Sequence, residues 1–128
     1  MSKLLIVDDS TALLEVMKSI LEKNGYIVKT LENALDIYEE IRDFKPDLLM
    51  VDINLSSEDG RNICRELRIK AQTKNLCILA FSGFPETLKD YKTFCADDVL
   101  EKPFDLNTLV DKIKFILNEC KTLVRSFP

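Results

Sequence analysis

Apolar positions along this chain follow two alternating rhythms. Short runs such as Leu4–Val7, Leu48–Val51 and Leu76–Phe81 are apolar throughout. Between them, apolar residues recur at helical spacing. Leu13, Leu14, Met17, Ile20 and Leu21 share one face of a helix predicted over about 11–24, and Gly25 suits the left-handed position that ends it. Lys3–Val7 reads as the first strand and Tyr26–Thr30 as the second. Asn33 is the expected N-cap of a helix running to Phe44, stopped by Pro46. Asp47–Val51 is the third strand, and a helix with Ile63, Cys64, Leu67 and Ala71 on one face follows Gly60. Leu76–Phe81 is the fourth strand, Glu86–Phe94 a short helix and Asp98–Glu101 the fifth strand. A last helix from about Asp105 to Thr122 lines up Leu106, Leu109, Val110, Ile113, Ile116 and Leu117.

Strands without polar alternation are buried on both faces. Five βα units in succession therefore predict an α/β fold, an open parallel sheet with helices on both faces. In such sheets, ligands bind beyond the carboxyl ends of the strands, where the strand order reverses. Four of the five strands end there in groups of use to phosphoryl chemistry. Asp8 and Asp9 follow the first strand, Asp52 the third, Ser82 the fourth and Lys102 the fifth. Each has a plain structural reading alone: helix-end complement, Asx turn, hydroxyl cap or solvated charge. Together they have a chemical one. Converging carboxylates repel by about 1 kcal/mol per pair even in water. A hard divalent cation such as Mg²⁺ removes that cost, and Lys102 and Ser82 can serve an added phosphate.

Composition narrows the field. The chain has 128 residues, 46% of them hydrophobic, which suits one domain with a full core. Its net charge of −4 disfavours direct nucleic-acid binding. No apolar run reaches the ~20 residues of a membrane span, and none near the start reads as a signal peptide, so a cytoplasmic protein is expected. The absence of histidine excludes Ser-His and Cys-His nucleophile pairs. Cys64, Cys77, Cys95 and Cys120 lack CxxC spacing and sit in apolar segments, so four free thiols are expected.

In this order and spacing, IVDDS, VDINLSSEDG, ILAFSG and VLEKPF resemble the receiver domain of bacterial response regulators, over about residues 3–120. The resemblance implies a flavodoxin-like (βα)5 sheet of order 2-1-3-4-5 and a role in two-component or phosphorelay signalling, as in stand-alone chemotaxis receivers. It implies that Asp52 accepts a phosphoryl group from a histidine kinase or histidine phosphotransfer protein. Mg²⁺ is then the cofactor, held by Asp9 directly, Asp8 through water, Asp52, and the main-chain carbonyl of Asn54. Ser82 and Lys102 correspond to the hydroxyl and ammonium that grip the phosphoryl group, and the Lys102–Pro103 bond is expected cis. Apart from its own phosphorylation and slow dephosphorylation, such a protein is not an enzyme.

The sequence departs from the family at two places. Val99 stands where an aromatic switch residue is usual, so output is expected through Ser82 and the loop beginning at Gly83. Ser56 replaces a usual proline, which predicts a more mobile loop. Asn54 and Phe84 occupy positions that tune acyl-phosphate hydrolysis. Two alternatives follow: a degenerate receiver acting as a binding scaffold, and a haloacid dehalogenase-type phosphatase. The latter needs an acid where Asn54 stands. Leu123–Pro128, after the last helix, is too short for an output domain. One receiver domain over 1–128 is expected, acting on a separate target protein.

Overall fold

The structure is a computed structural model that describes residues 1–122. Leu123–Pro128, the segment expected after the last helix, lies outside the described residues. Five parallel strands form one sheet in the order β2-β1-β3-β4-β5, as expected. They are β1 (Lys3–Val7), β2 (Ile27–Leu31), β3 (Leu48–Asp52), β4 (Cys77–Ser82) and β5 (Asp98–Glu101). The helices are α1 (Thr11–Lys23), α2 (Ile37–Phe44), α3 (Gly60–Ile69), α4 (Pro85–Leu88) and α5 (Leu106–Thr122).

Strand side chains alternate between faces, and the two resulting cores follow that parity. Leu48 and Met50 of β3, with Cys77, Leu79 and Phe81 of β4, face Leu14, Met17 and Leu21 of α1 and Leu109, Ile113 and Ile116 of α5. Leu49, Val51, Ile78 and Ala80 face the other way, onto Ile37 and Ile41 of α2, Ile63 and Leu67 of α3, and Leu88 of α4. All residues of β3 and β4 are buried. Full burial of one such aliphatic side chain stabilises the fold by about 1.5–3 kcal/mol, so these two strands anchor the sheet. β1 lies between β2 and β3, with Val7 paired to both Leu31 and Val51. The chain reverses its direction of winding there, and the ends of β1 and β3 open onto a common crevice.

Local chemistry sets the helix limits. Ser10 caps α1 by accepting a hydrogen bond from the Leu13 amide at 3.3 Å. Gly25, at φ +90, takes the left-handed turn after it. α2 begins later than expected. Asn33 does not cap it, because its Oδ1 accepts from the Leu35 amide at 2.9 Å in a local turn and the helix starts only at Ile37. The helix expected over 86–94 is also divided. α4 ends at Leu88, Asp90 is left-handed at φ 53, and a separate 3₁₀ turn covers Tyr91–Phe94.

The cysteines depart most from expectation. Cys64 is a buried free thiol and Cys95 a partly exposed one. Cys77 and Cys120 form a disulfide, with Cα atoms 6.0 Å apart. Strand parity turns Cys77 toward α5, and α5 delivers Cys120 to it.

Candidate functional site

The crevice at the ends of β1 and β3 collects the expected residues. Asp8 follows β1 directly and is fully buried; Asp52 ends β3 and is 4% exposed; Asp9 is open to solvent. One carboxylate oxygen from each lies within 4.8 Å of the others. Lys102, just past β5, reaches back into the cluster. Its Nζ donates to Asp8 Oδ2 at 2.7 Å and to Asp52 Oδ2 at 3.2 Å, and lies 5.0 Å from the centre of the Phe81 ring. The Lys102 amide donates to the Ser82 carbonyl at 2.8 Å, which continues the β4–β5 ladder past its last pair, Ser82 with Glu101. The Lys102–Pro103 bond is cis.

Each carboxylate has a different environment. Asp8 Oδ1 accepts from the Ser10 amide at 2.8 Å, which ties the acid to the start of α1. Asp52 Oδ1 accepts from the Asn54 amide at 2.9 Å, leaving Oδ2 toward Lys102. Burial raises the Asp52 pKa, the Asn54 amide and Lys102 oppose that, and the Asp8 charge adds to it. Asp9 Oδ2 accepts from both the amide and the hydroxyl of Ser56 at 2.9 Å. The Ser56 hydroxyl bond is the main reason that the Asp9 carboxyl lies below its usual range, against a smaller effect of burial. Burial works against the Lys102 ammonium, but its hydrogen bond to Asp8 and the charges of Asp52 and Asp8 outweigh it and raise its pKa.

Ser56 therefore corrects the expectation of a loosened loop. Losing proline's fixed φ is offset by two hydrogen bonds that fasten the loop to Asp9. The loop is held at its far end as well: Asn54 bridges Asp59, and the Gly60 amide donates to the Ile53 carbonyl at 2.8 Å. A Cβ on Gly60 would press on the Asp52 carbonyl and come within 2.8 Å of Ile53 Cα. Only glycine lets α3 begin against the acidic strand end.

Ser82 is fully buried and central to a second network. Its hydroxyl donates to Asn54 Oδ1 and accepts from Thr87 Oγ1 at 2.8 Å and from the Phe84 amide at 3.0 Å. Thr87 Oγ1 also lies 2.7 Å from the Phe84 carbonyl oxygen, which competes with Ser82 for its single proton. Thr87 is not singled out by the sequence, although a hydroxyl five residues after Ser82 on a short helix is visible there. The Asn54 amide oxygen is an acceptor here, so no general acid stands at that place. Val99 is partly buried on the core side of α2, α3 and α4.

The donor set fits a hard divalent cation. Three carboxylates against one ammonium leave a net charge of −2 among these four side chains, with oxygen atoms alone on offer.

Fold and site together define a doubly wound α/β protein whose switch-point crevice holds an acidic trio countered by one lysine. Residues 4–114 match the family profile described as the response regulator receiver domain. The transcriptional regulatory protein YvcP of Bacillus subtilis, itself called uncharacterized, is 34% identical over 119 residues, covering 91% of this chain and 49% of that protein. The nisin biosynthesis regulatory protein NisR of Lactococcus lactis is 34% identical over 113 residues, covering 88% and 48%. This chain spans about half the length of such relatives. A putative response regulator from Chloroflexus aurantiacus superposes with TM-score 0.84 at 32% identity, over 91% of this chain and 98% of that one. The chemotaxis protein CheY4 of Vibrio cholerae gives TM-score 0.82 at 26% identity, over the same shares. The chain belongs to the response regulator receiver family and is a receiver domain of two-component signalling. No helix among the described residues is long and apolar enough to cross a membrane.

Proposed function

We propose that this receiver domain takes a phosphoryl group onto Asp52 with Mg²⁺ as cofactor, and that the phosphorylated form changes its affinity for a target protein. The observation that carries this reading is the Asp52 carboxylate. One oxygen is fixed by the Asn54 amide, and the other faces Lys102 beside two further acids. Asp52 Oδ2 attacks phosphorus while the phosphorus–nitrogen bond of a phosphohistidine donor breaks and that imidazole regains a proton. Asp9, Asp52 and the Asn54 carbonyl would hold the ion directly, and Asp8 through a bound water. Mg²⁺, when bound, supplies positive charge to the phosphoryl oxygens. Lys102 then exchanges one carboxylate partner for a phosphoryl oxygen. Ser82 turns its hydroxyl from Asn54 to another, carrying the loop from Gly83 to Glu86 with it. Val99 has no ring to swing, so the surface of α4, β5 and α5 changes through this loop.

Histidine kinases or histidine phosphotransfer proteins are the proposed donors, in the cytoplasm, and the proposed output is a protein partner. The test is incubation with acetyl phosphate and Mg²⁺, read by intact mass and base lability. Wild type is expected to gain one phosphoryl group and Asp52→Asn none. Equal labelling of the variant would overturn the assignment.

A further inference from the structure

The Cys77–Cys120 bridge takes no part in the crevice chemistry and ties β4 to α5 at the edge of one core. Cys77 opens β4, the strand that Ser82 closes, so the bridge sits about 16 Å from the phosphoryl site at ~3.3 Å per residue. Its two residues are unequally exposed. Cys77 is 3% exposed, under α5. Cys120 is partly exposed and lines a surface cavity of about 400 Å³ with Tyr91, Asp97, Asp98, Phe115 and Glu119. A nucleophile arriving from solvent thus meets Cys120 first.

The two ends are also unequally anchored. Cys77 pairs with Leu48 of β3 in the sheet ladder. The neighbouring Ile78 amide donates to Asp97 Oδ2 at 2.8 Å, and Arg68 Nη2 meets the same oxygen at 3.0 Å. Arg68 further donates to the carbonyls of Lys74, Leu76 and Cys95. This network holds the foot of β4 in place whether or not the disulfide exists. Cys120 stands in the last turns of α5, beyond Ile116 and Leu117, the last residues of that helix in the core. Breaking the bridge therefore releases the helix end and leaves the sheet as it was.

We propose that Cys77–Cys120 is a thiol–disulfide exchange site, entered by a small external thiol at Cys120 Sγ, whose opening frees the last turns of α5. The incoming thiolate forms a mixed disulfide with Cys120 as the Sγ–Sγ bond breaks, and Cys77 leaves as thiolate and takes a proton from water. A second external thiol attacks the external sulfur of the mixed disulfide and releases Cys120 as a thiol. Two external thiols become one disulfide, and the protein gains two electrons and two protons. Asp97, Asp98 and Glu119 rim the entrance, where Arg68 pairs Asp97 at 3.0 Å and Lys112 pairs Asp98 at 3.2 Å. Cys64 does not compete, since burial pushes its thiol up to about 12.

The test treats the full chain, without denaturant, with cysteamine or with glutathione, followed by alkylation and peptide mass mapping. Cys95 is the internal control, alkylated before and after reduction. Cys77 and Cys120 are expected to label only after reduction, through an intermediate with the external thiol on Cys120. Amide exchange at 113–120 is expected to rise at least about tenfold, with β3 unchanged. Cys77→Ala, whose Cys120 is a thiol, is expected to exchange with cystamine, keeping one half on Cys120 and releasing one cysteamine, and the wild-type intermediate gives the same information if that variant does not fold. The proposal fails if Cys77 and Cys120 alkylate without reductant, if reduction needs denaturant, if the adduct sits on Cys77, or if α5 exchange does not move.

Discussion

Two glycines flank the chemistry with opposite constraints. Gly60→Ala places a methyl against the backbone of Asp52 and Ile53, whereas a Cβ at Gly83 meets nothing within 4 Å. Overpacking of this kind costs about 1–3 kcal/mol. Gly60→Ala is expected to lose that much in urea unfolding and to label poorly with acetyl phosphate, and Gly83→Ala is expected to stay within about 0.5 kcal/mol of wild type. Lys102 offers a second comparison. Lys102→Met leaves buried Asp8 beside Asp52 with no ammonium between them, at a cost near the low end of about 3–5 kcal/mol because the lysine side chain keeps 23% exposure. At the proposed site, Mg²⁺ would then supply the missing charge. Thermal melts are expected to show a larger rise with MgCl₂ for the variant than for wild type; an equal rise would place the ion elsewhere. At this scale the sequence disclosed the acids, the hydroxyl and the lysine, because strand ends announce themselves. The fastening of Asp9 by Ser56 stayed hidden, since it depends on how a loop folds back across 47 residues.

Helix α4 is one turn long and has little packing of its own beyond Leu88, so its link to Ser82 matters more than its length. Thr87→Val removes the hydroxyl that joins the two while keeping the shape of the side chain. Faster amide exchange at 85–88 is expected, with Asp52 still phosphorylated and the response of the 83–88 segment to beryllofluoride reduced; an unchanged response would break the proposed route. α2 and α3 are joined in another way. The Tyr38 hydroxyl donates to Glu66 at 3.2 Å, and Lys70 Nζ lies 4.0 Å from the centre of its ring. Burial first, then Glu66, pushes the Tyr38 phenol up to about 12. Between pH 10 and about 12 the unfolded chain has lost this proton and the folded one keeps it. Stability is therefore expected to fall as pH rises through that window. Tyr38→Phe should flatten the slope in urea titrations, and the latest phenol of an ultraviolet titration should vanish in that variant, while Tyr26, also raised by burial, remains. The elements themselves were legible from apolar periodicity. Helix starts were less so, because an Asn such as Asn33 caps a turn as readily as a helix.

Across the whole molecule, parity explains both what could be read and what could not. The unbroken apolar runs of β3 and β4 declared a sheet covered on both sides. The same alternation aims Cys77 at α5, yet no spacing rule connects residues 43 apart until the sheet's two faces have been assigned to particular helices. Strand order has one more consequence, in time rather than in space. Asp8 meets Lys102 across 94 residues, and Asp52 meets it across 50. On a ribosome adding about 5–20 residues per second, the lysine follows Asp52 by roughly 2.5–10 s. A nascent chain that pairs β1 with β3 during this interval gathers its three acids before their ammonium has been made. Protons or dissolved divalent ions must hold that half-built crevice together, and the last strand to be translated is the one that relieves them.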